Sequence, residues 1–291
     1  MGPNTMAHMH EPIIGSEALA SGALTRGALR WNYTAILPDV YIHRDAQIGW
    51  YIRAMAAWLW TGRRGVLAGR TAAALYGVRP VDGTAPIEII APPRRARPGF
   101  VVRNDRIETD EVDPGRLPTT TPARTALDLA RHLPRDAAVV LLDKLSAQTD
   151  VTAADVAPLE ARYRSTRGMG SAWEAIRLMD GGSRSKEETL LRLMLIDSYL
   201  PPPSTSIFVE DDFWNTITGE ETWGFAVGIG WPYAKVGVEW APHRRGLVQD
   251  VQFRELLREK GWVLIEVLPQ DTRKYTINRC EEALRRRRGL V

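Results

Sequence analysis

The sequence has little with which to staple or anchor itself. It contains one cysteine, Cys280, which excludes an internal disulfide. Spacing places that thiol on the inner face of a terminal helix as small core filler, and a reducing cytoplasm fits it best. No apolar run approaches the ~18 residues of a membrane span, the nearest being AMAAWLW at 54–60, so no membrane partner is expected. The opening MGPNTMAHMHEP lacks both the charged start and the apolar stretch of a signal peptide, so residues 1–12 read as a leader outside the fold. Lysine is also scarce: only Lys144, Lys186, Lys235, Lys260 and Lys274 stand among 38 basic residues.

Arginine therefore carries nearly all the positive charge of a chain whose formal net charge is +3 and whose pI is ≈ 9.1. Arginine reads phosphate and guanine in two-pronged fashion, although an Ala- and Arg-rich composition is also what a GC-rich genome produces. With 291 residues, 44% of them hydrophobic and 25% charged, the chain is globular and long enough for two or so domains.

After the leader, GSEALASGALTRGALRWNYTAILPDVYIHR gives a short helix, a second helix begun by Thr25, and two strands around Leu37-Pro38-Asp39. Arg26 and Arg30 share one face of the second helix, with a hairpin behind them, as in a shortened winged-helix module over 13–60. Helical spacing continues at 47–60 and at 68–78. Strands at 87–90 and 100–103 flank a loop carrying Arg94, Arg95 and Arg97, which the surrounding prolines hold extended, a rigid display for guanidinium groups. TTTPARTALDLARHL starts a helix with Thr121 as N-cap and Pro122 in its first turn, Leu127 and Ala130 or Leu133 facing inward. Further helices are expected at 136–147, after Thr152 with an interruption at Pro158, and at 171–180.

Gly181-Gly182 is the clearest break in composition and closes an α/β and helical middle region over 61–180. Beyond it, over 183–291, come a helix in SKEETLLRLMLIDSYL stopped by three prolines, strands at 206–209, 223–229 and 234–240, a helix at 248–260, a strand at 262–268, and a last helix running into Arg285–Arg288. That order is an α/β layered domain, and the chain as a whole is α/β (α+β).

LTRGALR with DVYIHR, GRTAAALYGV, TTTPARTALDLA, SKEETLLRLMLIDSYLPPP, and VGVEW with EKGW, in this order, resemble a family of actinobacterial and phage proteins. In it a region like the AbiEi antitoxins of abortive-infection systems is fused to a domain like the very-short-patch-repair (Vsr) endonucleases. The resemblance covers about 16–284 and implies a PD-(D/E)xK restriction-endonuclease-like fold for the last domain. Its metal-site pattern falls on Glu188 in the first helix and Glu239 at a strand end. The strand aspartate falls on Gly228 and the second acid of Glu-x-Asp on Ala241, so two of the oxygens that would hold magnesium are missing. Asp250 matches a further family acid.

Each of these residues has a second reading. Ser185 and Glu188 form a capping-box pattern, Glu239 pairs with Arg244 or Arg245 in the basic turn after the strand, His243 is a general base or phosphate contact if it is not simply solvated, and Asp250 is an early-turn helix charge. Glu220 and Glu221 could supply a migrated carboxylate. The expected function is a DNA-binding regulator or antitoxin-like protein with an inactive nuclease fold, no confident catalytic residue and no cofactor. Duplex DNA is its partner, held by Arg26, Arg30, Arg94, Arg95 and Arg97, and a cognate toxin is a second partner. The alternatives are a magnesium-dependent endonuclease in restriction or phage defence and a protein-interaction module using some of the ten tryptophans, including Trp58, Trp60, Trp214 and Trp223.

Overall fold

The computed structural model describes residues 11–78, 85–95, 97–212, 223–241 and 246–288. The chain divides into two compact units, residues 1–133 with 148–177, and residues 134–147 with 178–291. Among the described residues, helices and three separate sheets make the architecture α+β. Most of the leader, Trp214, Glu220, Glu221, His243, Arg244 and Arg245 lie outside the described residues.

The first unit opens with strand β1 (Ile13–Ile14), helices α1 (Gly15–Ala20) and α2 (Arg26–Asn32), and the hairpin of β2 (Tyr33–Leu37) and β3 (Val40–His43), in a sheet of order β1-β3-β2. Thr25 caps α2 by accepting the Ala28 N–H, as predicted. Asp39 closes the hairpin at a φ of 61°, a left-handed position that Asp tolerates better than bulkier residues. Helix α3 (Trp50–Trp60) packs Ala56, Leu59 and Trp60 against Leu37 and Val40, and Ala54, Met55 and Ala57 against a second apolar cluster containing Leu67, Ile87 and Ile89. One helix serves two sheets, so Trp60, placed at a division by the sequence reading, lies within one compact unit.

The second sheet has the order β6-β5-β4-β8-β7, from β4 (Val66–Leu67), β5 (Ile87–Ile90), β6 (Phe100–Arg103), β7 (Val112–Asp113) and β8 (Thr119–Thr120). Helices α4 (Gly69–Leu75) and α5 (Pro122–His132) accompany it, with Thr121 capping α5 by accepting the Arg124 N–H. Helix α6 (Arg135–Thr149) follows, then α7 (Ala153–Tyr163) and α8 (Met169–Arg177). The interruption expected at Pro158 is absent: α7 runs through it. A complete Thr152–Asp155 capping box fixes its start, and burial of Val156, Leu159 and Tyr163 outweighs the one backbone bond that proline cannot make.

Residues 134–147, most of α6, belong to the second unit. Buried Asp143 accepts from Thr189 Oγ1 at 2.8 Å, Arg192 Nη2 at 2.9 Å and the Asp180 N–H at 2.8 Å, which ties α6 to α9 (Lys186–Ile196). Strands β9 (Ser204–Glu210), β10 (Gly224–Trp231), β11 (Val236–Trp240) and β12 (Val263–Val267) form a sheet of order β12-β11-β10-β9. β9, β10 and β11 are antiparallel neighbours, while β11 and β12 are parallel and joined through α10 (Leu247–Glu259). The last helix is α11 (Arg273–Arg288).

Leu191 and Leu195 of α9 and Cys280 and Leu284 of α11 share one core with Ile229, Val236, Val238 and Ile265, while Phe253, Leu256 and Leu257 of α10 share another with Val209 and Val227. Burial pushes the Cys280 thiol up to about 12, which suits inert core filler. The strand expected from Ala234 begins two residues later. Pro232–Ala234 form a 3-10 turn and Lys235 takes a φ of 48°, a conformation outside the strand region.

Candidate functional site

The basic residues singled out from the sequence are exposed in the first unit. Arg26 and Arg30 stand one turn apart on α2. The Arg30 guanidinium lies 5.7 Å from the ring centroid of Trp31, a tryptophan 71% exposed. Sequence reasoning passed over Trp31; its place directly after Arg30 on a short helix was the available signal. Arg94, Arg95 and Arg97 are all exposed in the β5–β6 loop, with Arg94 stacked over the Trp60 ring at 5.4 Å. The Arg53 guanidinium donates to the Gly99 carbonyl at 2.9 Å and anchors the far end of that loop. Residues 35–39 and Tyr41 of the hairpin line one cleft of ≈ 430 Å³ together with Arg97, Pro98 and Phe100. Hairpin and arginine loop are therefore neighbours.

Two buried ionic clusters underlie the sequence motifs of this unit. In GRTAAALYGV, Gly69 has a φ of +52°, and a Cβ there would stand 2.6 Å from Glu88 Oε2. Arg70 and Arg103 hold that buried carboxylate at 2.6 and 2.8 Å, and Thr71 Oγ1 accepts the Glu88 N–H at 2.8 Å. In TPARTALDLA, Arg124 is fully buried: its Nε donates to Asp128 at 3.0 Å, its Nη1 donates to the Arg106 carbonyl and the Tyr163 hydroxyl, and it pairs with Glu111.

Among the described residues, Asp105, Asp128 and His132 offer ligand atoms within 4.8 Å of one another. Arg131 Nη1 stands 3.3 Å from Asp105 and 3.9 Å from Asp128, and Arg124 contacts Asp128, so arginines already answer those carboxylates. The His132 imidazole, with Arg131 beside it, holds the Asp105 carboxyl down to about 2 against the opposing effect of burial.

The second unit brings Glu188, Glu239 and Gly228 together. Glu188 stands in the first turn of α9 and Glu239 one residue before the end of β11; their exposures are 1% and 4%. Arg184 Nη2 lies 3.1 Å from Glu188 Oε1 and 3.2 Å from each oxygen of Glu239. The Gly228 N–H donates to Glu239 Oε1 at 2.6 Å.

The capping box expected at Ser185 is only half formed. Ser185 Oγ accepts the Glu188 N–H at 3.1 Å, but the Glu188 carboxylate accepts the N–H of Arg184 at 2.8 Å instead of that of Ser185. Glu239 meets Arg184, while its expected pairing with Arg244 or Arg245 falls on residues outside those described. The signal missed was an arginine one residue ahead of the helix cap, because its two partners lie 4 and 55 residues away in sequence. Asp250 stands apart in the first turn of α10, where a negative charge suits the helix's positive end.

Residues 65–180 match the family model of the AbiEi antitoxin C-terminal domain. Both ionic clusters of the first unit lie within that span. Two proteins of Mycobacterium tuberculosis, uncharacterized protein Rv2248 of strain H37Rv and uncharacterized protein MT2308 of strain CDC 1551, are each 29% identical over 211 residues, covering 70% of this chain and 74% of theirs. Among solved structures, the RV2827C protein of M. tuberculosis is similar at 16% identity and a TM-score of 0.38, over 69% of this chain and 84% of that one.

Proposed function

We propose that this chain is a DNA-binding regulator of the antitoxin type, whose second unit keeps a nuclease-like fold put to non-catalytic use. The observation that carries the reading is the match of residues 65–180 to an antitoxin domain. Support for DNA as a partner comes from the same unit. Arg26 and Arg30 project from a short helix followed by a hairpin, the order of a shortened winged helix, and Arg97 lines a cleft with that hairpin. Guanidinium groups so placed bind phosphate and release counterions. A cognate toxin is the second partner, in keeping with the antitoxin domain, and exposed Trp31 offers an aromatic anchor for it.

For the second unit, the Vsr-like reading is supported by the order helix, three antiparallel strands, helix, parallel strand, helix, and by an acid pair joining the first helix to a strand end. The magnesium-dependent alternative would place its ion between Glu188 and Glu239, where Arg184 now reaches. No helix among the described residues is long and apolar enough to cross a membrane, and a lone buried thiol fits a cytoplasmic setting.

The reading is tested by exchanging Arg26, Arg30, Arg95 and Arg97 for alanine in the full chain and measuring duplex affinity across salt. The slope of log affinity against log salt should flatten by about 0.9 for each phosphate that the variant no longer neutralises. A quadruple variant with unchanged affinity and slope would show that DNA is bound elsewhere or not at all.

A further inference from the structure

We propose that the outer edge of β12, with the arginine face of α11 beside it, is a docking site for an extended acidic segment of a partner protein. β12 ends the sheet of order β12-β11-β10-β9, so one side of its backbone has no neighbouring strand among the described residues. The bonds to β11 fix which groups face that side. The Val263 N–H donates to the Lys235 carbonyl at 2.8 Å, and the Val267 carbonyl accepts the Ala241 N–H at 2.9 Å. Alternation along the strand then turns the backbone groups of Leu264 and Glu266 to the free edge.

Arginines of α11 close both ends of this edge. Arg279 Nη1 donates to the Glu266 carbonyl at 2.9 Å, and Arg287 Nη2 donates to the carbonyl of Gly261. A groove of ≈ 400 Å³ runs between strand and helix, lined by residues 263–265 and by Arg279, Glu282, Arg286 and Arg287. At about 3.3 Å per residue, the stretch from Gly261 to Glu266 spans on the order of 16 Å, the length of about five extended residues. The opposite edge of the sheet is not equivalent. Ser206, in the middle of β9, takes a φ of 47°, outside the strand region, and interrupts that edge.

The edge and its charges together define the occupant. N–H and C=O groups in alternation match another polypeptide backbone, whereas a phosphate backbone has no N–H to give a strand carbonyl. Three guanidiniums and one carboxylate line the groove, and α11 as a whole carries seven basic residues against two acidic ones. That excess is larger than the net +3 of the chain. The two arginine clamps cover strand carbonyls and so guard the edge against an uncharged strand. A segment bearing carboxylates re-engages the guanidiniums that it displaces, and Arg286, its side chain 76% exposed, is open to meet it. The inference does not rest on the DNA-binding reading, whose arginines belong to the first unit, and either can fail without the other.

The test is fluorescence polarisation of the full chain with a labelled peptide, EVEVE, blocked at both ends, at about 50 mM salt. It should bind with a Kd on the order of 100 μM or tighter. The lysine counterpart KVKVK should bind about tenfold or more weakly. So should EVEVE methylated at every peptide nitrogen, which keeps the charge and loses the backbone donors. Hydrogen exchange of the Leu264 amide should slow about tenfold or more at saturation. Arg279→Gln, Arg286→Gln and Arg287→Gln combined should weaken EVEVE about tenfold. If circular dichroism shows that variant unfolded, the methylated peptide and the Leu264 exchange in the native chain decide. No binding of EVEVE, equal binding of its methylated form, or a DNA duplex that displaces it and loses affinity in the same triple variant would overturn the proposal.

Discussion

Arg124 holds together more of the first unit than an ordinary surface charge could. It is fully buried, pairs with Glu111 and Asp128, and lies with its guanidinium 4.8 Å from the Tyr163 ring centroid. Removing one partner of a buried ionic network strands the others without compensation. Arg124→Ala should therefore cost about 3–5 kcal/mol in urea unfolding. A loss below about 1 kcal/mol, the size of a surface pair, would mean that the carboxylates find water or other partners. The same logic explains why such residues are hard to read from sequence. Arg124, Leu127, Asp128 and Arg131 follow one helical stripe, but charges on a stripe ordinarily face solvent, and the groups that reverse this, Glu111 and Tyr163, lie 13 and 39 residues away. Glu88 and Asp143 are hidden for the same reason. At Glu188 the local pattern was visible and partly misleading, since Ser185 does cap the helix while the carboxylate serves Arg184.

Elements were more legible than charges. Thr25, Thr121, Thr152 and Ser185 all cap helices, because N-cap chemistry is local and needs only the next few residues. Strand starts were less so. β11 begins at Val236 because Lys235 is left-handed, a choice made by the turn and not by the apolar alternation behind it. Pro158 shows packing overriding a breaker. It is exposed on the outer face of α7, while Val156, Leu159 and Tyr163 hold the inner face. Since proline supplies no N–H and adds no buried packing there, Pro158→Ala should stabilise the first unit by about 1–3 kcal/mol, read from the shift of the thermal midpoint. A destabilised variant would show that the ring itself, through backbone rigidity, contributes to the native state.

At the scale of the whole molecule, positive charge is modest in total and local in placement. A net +3 gives little general attraction to nucleic acid, so the proposed binding relies on the exposed arginines of α2 and the β5–β6 loop. On the proposed reading the second unit has no catalytic duty, and Arg184 stands between its two acids. One gel separates these claims. The full chain is mixed with a mixed-sequence duplex at about 50 and about 200 mM salt, with and without magnesium, and both the complex and the integrity of the DNA are scored. A complex that weakens steeply with salt, on DNA that stays uncut with magnesium, is the predicted result. No complex at the lower salt, or magnesium-dependent nicks that disappear in the Glu239→Gln protein, would contradict the account.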